Sequence, residues 1–115
     1  MQITVLKSKL SYAKITQLDL FYVGSISIDE TLMAAANLIP NEQVHVVNLN
    51  NGARLVTYVI PAPAGSGIIG LNGPAARMGA MGDLTFIISY AQIDPAQESL
   101  TPTVVHLGDR NELKS

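Results

Sequence analysis

The part of this 115-residue sequence most able to do chemistry is a dipeptide. Gly24-Ser25 stands inside the apolar segment Tyr22-Val23-Gly24-Ser25-Ile26-Ser27-Ile28-Asp29, where a glycine weakens a strand and needs a reason. One reason is a β-bulge or a sharp bend. The other is reactivity: glycine has no Cβ, so its backbone reaches strained angles and its carbonyl carbon can be approached closely. The hydroxyl of the next residue is the nucleophile nearest to that carbon. Attack by Ser25 on the Gly24 carbonyl exchanges the peptide bond for an ester. Elimination from the ester leaves a dehydroalanine, and its hydrolysis gives a pyruvoyl group capping a new amino terminus at position 25.

Other reactive side chains are less well placed. His45 and His106 lie far apart and neither has a partner at metal-ligand spacing, so no metal site is expected. Gly65, Gly67 and Gly70 match G-x-G-x-x-G. They follow a proline-rich loop and run into strand-like residues, so the helix N-terminus that would hold a pyrophosphate is missing, and they read as loop punctuation. Ser25, Ser66 and Ser89 all lie outside any G-x-S-x-G, and no His-acid pair accompanies them, which argues against a serine hydrolase.

The elements that must position Gly24-Ser25 are mostly short strands. Residues 2 to 16 carry alternating and β-branched positions, and Leu18 to Ile28 continue in the same extended style on both sides of the Gly-Ser pair. Asp29 offers an N-cap and Glu30 favours a first turn; Leu32, Met33 and Ala36 then recur at helical spacing until Pro40 ends the run. Gln43 to Leu49 and Ala53 to Ile60 flank Asn50-Asn51-Gly52, which predicts a hairpin. A loop over 61–67 leads to a short strand at Ile68 to Leu71, and NGPAARMG makes a turn into a brief helix. Asp83 to Ile93 reads as a long apolar strand, residues 95–99 as a turn or single helical turn, and Thr103 to Leu107 as a last strand. With no repeat and no linker, residues 1–115 read as one domain. Several short strands and little helix predict a small mainly-β barrel, because closing the sheet removes exposed edges.

Composition narrows the partners. Only 14% of residues are charged while 48% are apolar, against a usual charged fraction of about 25%. A chain so short of solvated groups is expected to cover part of its outside with copies of itself. A net charge of −2 without a basic run excludes nucleic acid and anionic lipid as expected partners. The absence of cysteine excludes disulfides and thiolate chemistry. Lys7 and Lys9 interrupt the start before a signal-length apolar block forms, and no window reaches the roughly 18 apolar residues of a membrane span. A cytoplasmic protein with no membrane partner is expected.

KSKL near the start, YVGSISID, the NNGAR..TY run, the NG.AAR turn and the GD before an apolar strand resemble the aspartate alpha-decarboxylases of bacterial pantothenate synthesis. They match in order and spacing along almost the whole chain. The resemblance implies a six-stranded double-psi β-barrel with short helices, in a homotetramer whose active sites lie between neighbouring subunits. It implies cleavage between Gly24 and Ser25 into residues 1–24 and 25–115, and conversion of L-aspartate to β-alanine and CO2. The need for an accessory maturation factor is left open.

The resemblance also assigns roles. Ser25 becomes a covalent pyruvoyl group, whose ketone condenses with the substrate amine and takes up the electrons released with CO2, as pyridoxal phosphate does elsewhere. No pyridoxal phosphate and no metal are implied. Tyr58 corresponds to the proton donor, although by itself it reads as a cross-strand aromatic. Thr57 corresponds to the residue that hydrogen-bonds at the cleavage site and later touches substrate, and by itself is a good strand former. Arg54, with a planar fork suited to the retained carboxylate, and Lys9 as a second cation complete the charge complement; for both, a surface ion pair is the ordinary alternative. Asn72, Gly73, Pro74 and Ala75 correspond to the substrate-contacting turn, whose N–H groups can hold an oxygen gaining charge.

Two positions depart from the family pattern. Pro74 replaces an alanine and removes an N–H, and Ser11 stands where many relatives carry histidine near the cleavage site. A reading from a different class follows: an unprocessed barrel serving as a structural or small-molecule-binding subunit. A geometric tension follows too. On a regular strand Arg54 and Tyr58 share a face, Thr57 points to the other, and four residues span about 13 Å. A twist, a bulge or a site shared by two subunits would resolve it.

Overall fold

Alternation of buried and exposed side chains drives this chain into strands, and the strands wrap into a barrel. The computed structural model describes residues 1–114. In order they form β1 (Ile3–Lys14), β2 (Gln17–Asp19), β3 (Ser25–Asp29), α1 (Glu30–Ala35), β4 (Gln43–Asn48), β5 (Arg54–Ala62), β6 (Ile69–Asn72), a 3-10 helix (Gly73–Met78), β7 (Leu84–Ile93) and β8 (Thr103–His106). The mainly-β reading holds, as do the hairpin, the short helix capped by Asp29 and the brief helix after Asn72. The side chain of Asp29 accepts the Thr31 N–H at 2.8 Å, and Gly52 takes the left-handed turn position at φ +74°.

Eight strands are present where six were expected, ordered β2-β6-β3-β5-β4-β7-β1-β8. The chain reconciles the two counts. β1 lies beside β7 and β2 lies beside β6, yet only Ile15 and Thr16 separate these two strands in the sequence. The Ile15 N–H bonds to the Asp83 carbonyl at 2.9 Å, and the Thr16 N–H bonds to the Ile69 carbonyl at 2.8 Å. β1 and β2 are therefore one bent path that joins the two ends of the order into a ring of six, with β8 added outside along β1. Two parallel pairings, β2 with β6 and β3 with β5, sit among antiparallel ones, so the ring has the count and the mixed character of the implied double-psi barrel.

The interior is filled by Leu10, Ile15, Ile26, Ile28, Val44, Val46, Val59, Ile69, Leu71 and Ile87, all fully or almost fully buried. Burying each such side chain is worth about 1.5–3 kcal/mol before entropy is counted. Ile26 and Ile28 alternate with Ser25 and Ser27 along β3, which has β5 on one edge and β6 on the other. β3 is therefore a central strand, and its two serines share the face away from the core isoleucines.

The extended reading of Leu18 to Ile28 needs correction. The strand ends at Asp19, residues 20–24 form a turn and bend, and β3 begins at Ser25. Leu20, Phe21, Tyr22 and Val23 are exposed, so their apolar character reflects surface rather than a strand interior. Gly24-Ser25 is the entry to a central strand, not its middle.

Candidate active site

The site grows from a gap beside β5. Residues Arg54 to Tyr58 of this strand bond to β4 on one edge only; on the other edge β3 joins at Ile26, opposite Val59. Extending that parallel register backwards sets Ser25 level with Tyr58 and Gly24 level with Thr57. The 3-10 helix stands across the gap, because Asn72 at the end of β6 leads directly into it. The result is a cleft of about 440 Å3. Leu55, Val56, Thr57 and Tyr58 line it along β5, Pro74, Ala75 and Met78 line it from the helix, and Gly24 closes it.

An open strand edge removes the tension between Thr57 and Tyr58 but does not bring Arg54 into the cleft. Thr57 lies opposite buried Val44, and Tyr58 opposite exposed Gln43, so their side chains do point to opposite faces. Both still border the cleft, because it opens onto the edge of the strand rather than onto one face. No bulge is needed.

Ser25 is fully buried at the root of the site. Its Oγ accepts an N–H from Asn72 Nδ2 at 2.9 Å and donates to the Val23 carbonyl at 3.3 Å. The same Nδ2 donates to Ser27 Oγ, also at 2.9 Å. Asn72 thus holds the hydroxyl of the uncleaved Ser25 from one side and the Val23 carbonyl holds it from the other.

Backbone strain sits at Gly73 rather than at Gly24. Gly24 does not have a left-handed φ, and a Cβ added there would meet Pro74 Cδ at an ordinary 3.6 Å. Gly73 has φ +64°, and a Cβ there would lie 2.8 Å from Gly24 Cα and 2.8 Å from the Tyr22 carbonyl oxygen. No L-residue with a side chain can let the two backbones approach in this way. Pro74, lacking an N–H, presents its ring to Gly24 instead.

Three further residues singled out in the sequence do not line the cleft. Arg54 is exposed and donates from Nη1 to His45 Nδ1 at 3.1 Å. Lys9 projects from β1 with Nζ 4.2 Å above the Phe86 ring, a cation–π contact. Ser11 is buried in β1, separated from β5 by β7 and β4. The G-x-G-x-x-G stretch does surround an anion, but one built into the chain: Gly65 and Gly67 N–H groups donate to the Asp29 carboxylate at 3.0 and 2.8 Å. Burial pushes the Asp29 pKa up, but the N–H donors of Gly67, Thr31 and Gly65 outweigh it and hold the group below its ordinary value of 3.8.

Leu55 and Val56 on β5 escaped the sequence reading as site residues, and so did two further neighbours. Met78 completes the helix-side wall, and Ser27 shares the Asn72 amide with Ser25. Ser27 could have been found from the two-residue spacing that puts it on the face of Ser25; Met78 carried no such signal.

Comparison with known proteins then decides the kinship. The profile described as aspartate decarboxylase matches residues 1–114. The chain belongs to the aspartate decarboxylase family. It is 64% identical over 107 residues to aspartate 1-decarboxylase of Coxiella burnetii, covering 93% of this chain and 96% of that one. Identity to the protein of the same name from Francisella tularensis subsp. novicida is 62% over the same shares. The Pelotomaculum thermopropionicum protein, again named aspartate 1-decarboxylase, is 54% identical, with 98% of this chain and 86% of that one covered. Among solved structures, a computationally designed protein, msDPBB_sym2, matches with a TM-score of 0.47 and 17% identity over 76% of this chain and 99% of its own; so slight a likeness carries no argument about fold.

Proposed function

We propose that this protein is made as a proenzyme, cuts itself between Gly24 and Ser25, and removes the α-carboxyl of L-aspartate to give β-alanine and CO2. The observation that carries this reading is the position of the scissile pair: Gly24 closes a cleft in which Thr57 and Tyr58 are the lining residues with polar side chains. The pyruvoyl group formed from Ser25 would supply the electron sink for breaking the carbon–carbon bond.

The chain's own residues do the rest. Before cleavage Asn72 holds the Ser25 hydroxyl, and Thr57, level with Gly24 when the register of β3 on β5 is extended, is the residue we assign to the scissile carbonyl. Tyr58, level with residue 25 when the register of β3 on β5 is extended, is the residue we assign as proton donor to the substrate carbon that loses CO2, where a strong base would take the phenol proton. Leu55, Val56, Pro74, Ala75 and Met78 give the cleft largely apolar walls. A carboxylate pressed against them is poorly solvated while neutral CO2 is not, which favours its departure.

Among the described residues no lysine or arginine lines this cleft, so the carboxylate that aspartate keeps needs a cation from beyond it. A site shared by two subunits, with Arg54 or Lys9 supplied by a neighbour, meets that need. Phe21 at 96% exposure and Val23 at 71% lie in the turn that leads into Gly24, and such apolar surface favours a covering copy. We take the assembly to be a homotetramer, working in the cytoplasm, a compartment suited to a cysteine-free chain. No helix among the described residues is long and apolar enough to cross a membrane.

Intact-mass analysis and an assay of β-alanine and CO2 from L-aspartate test the reading. The aged protein is expected to give two chains and product, and a Ser25→Ala variant one chain and none. A wild-type chain that stays whole and inert toward aspartate would leave only the unprocessed barrel.

A further inference from the structure

Asn72 stands directly opposite Ser25 in the antiparallel pairing of β3 with β6, and Ser27 stands opposite Gly70. Gly70 has no side chain to compete for the Ser27 hydroxyl, so the Asn72 amide spans both serines with one nitrogen, each bond 2.9 Å. A single hydrogen bond leaves the broad terminal torsion of an asparagine free to swing. Two N–H donors committed to two oxygens on one face of a central strand fix it. Ser25 and Asn72 are buried, Asn72 with 3% exposure, so either donor, if released, loses a partner that solvent cannot easily replace.

We infer that Ser27 is a positioning residue for self-processing: it locks the Asn72 amide so that its other N–H is delivered to Ser25 Oγ. The inference rests on the self-cleavage reading above and adds a residue to it. In the ester, Oγ bridges the Cβ of residue 25 and the Gly24 carbonyl carbon. Opening it breaks the Cβ–Oγ bond, with the electron pair going to Oγ. The Cα proton passes to water, and the electron pair it leaves forms the Cα=Cβ double bond. The products are dehydroalanine at 25 and the Gly24 carboxylate, of which Oγ is now one oxygen. Negative charge therefore grows on the atom that Asn72 addresses, and a fixed donor stabilises it more than a mobile one.

The test follows the full-length chain in three forms, wild type, Ser27→Ala and Ser27→Thr, by intact mass over time with and without hydroxylamine, which cleaves esters. The wild type is expected to divide into two chains. Ser27→Ala should divide about tenfold more slowly, the effect of a loosened rather than a deleted donor. It should also accumulate an ester from which hydroxylamine releases residues 25–115 with an unmodified serine at the front. Ser27→Thr, which keeps the hydroxyl, should recover most of the rate. A wild type that never divides would overturn the self-cleavage reading itself. A dividing wild type matched by Ser27→Ala would overturn the role of Ser27 alone, as would equal slowing of both variants with no hydroxylamine-labile ester.

Discussion

Two glycines with left-handed backbones distinguish local strain from a constraint at the site. At Gly52, φ is +74° and nothing lies within 4 Å of an added Cβ. Gly52→Ala should cost about 1–2 kcal/mol, the penalty of that conformation, and leave self-cleavage unchanged. At Gly73 the same conformation is combined with a close approach to the Gly24 and Tyr22 backbones. Gly73→Ala should therefore cost about 3 kcal/mol or more in urea unfolding and stop division into two chains, because it displaces the scissile peptide. If both variants cleave at the wild-type rate, the packing of Gly73 on Gly24 has no part in processing. Tyr58→Phe addresses the later step: the protein should mature normally and lose about 10²–10⁴-fold in kcat with little change in KM, the range for a lost general acid. A kcat within twofold of wild type would remove Tyr58 from the chemistry.

Among the elements, α1 and the 65–67 loop meet at one carboxylate. Asp29 Oδ1 accepts from Thr31 and Gly65, and Oδ2 accepts from Gly67. Its folded pKa lies below the ordinary 3.8 despite burial. The stability it contributes is thus complete above the unfolded value and is lost as pH falls through the lower folded one. Asp29→Asn replaces one acceptor oxygen with a donor facing an N–H and should cost about 1.5–3 kcal/mol at pH 7. Below pH 3 the difference between the two proteins should shrink. Urea midpoints measured from pH 2 to 7 check this, and a constant difference across that range would show that the charge is not what matters.

For the whole molecule, the controlling feature is ring closure through Ile15 and Thr16, which carries the first strand from the β7 side to the β6 side. Closure leaves β3 with neighbours on both edges while the 54–58 edge of β5 stays open, so a stable barrel and a cleft arise from the same topology. The exposed run Leu20 to Val23 and the cleft residue Val56 then predict association. Native mass spectrometry should give four times the 12.2 kDa chain mass, and Val23→Asp with Val56→Asp should shift it toward smaller species and lower activity. A monomer with full activity would show that one chain suffices and would leave the role of a neighbouring cation without support.

The sequence by itself settled what depends on neighbours along the chain. The Asn-Gly hairpin, the Asp29 cap and the strand periodicity were all legible, because turn chemistry, capping and side-chain alternation act over two to four residues. The family motifs were legible for the same reason, as strings. Tertiary structure alone decided what depends on register between distant segments. It made residues 20–24 a turn rather than a strand, set Gly73 against Gly24, turned the glycine loop onto Asp29, and gave Ser27 a share of Asn72. It also set Arg54 on His45 and Lys9 over Phe86. Which strand edge stays open is fixed by how six strands close into a ring, and that closure is a property of all the pairings together rather than of any one segment.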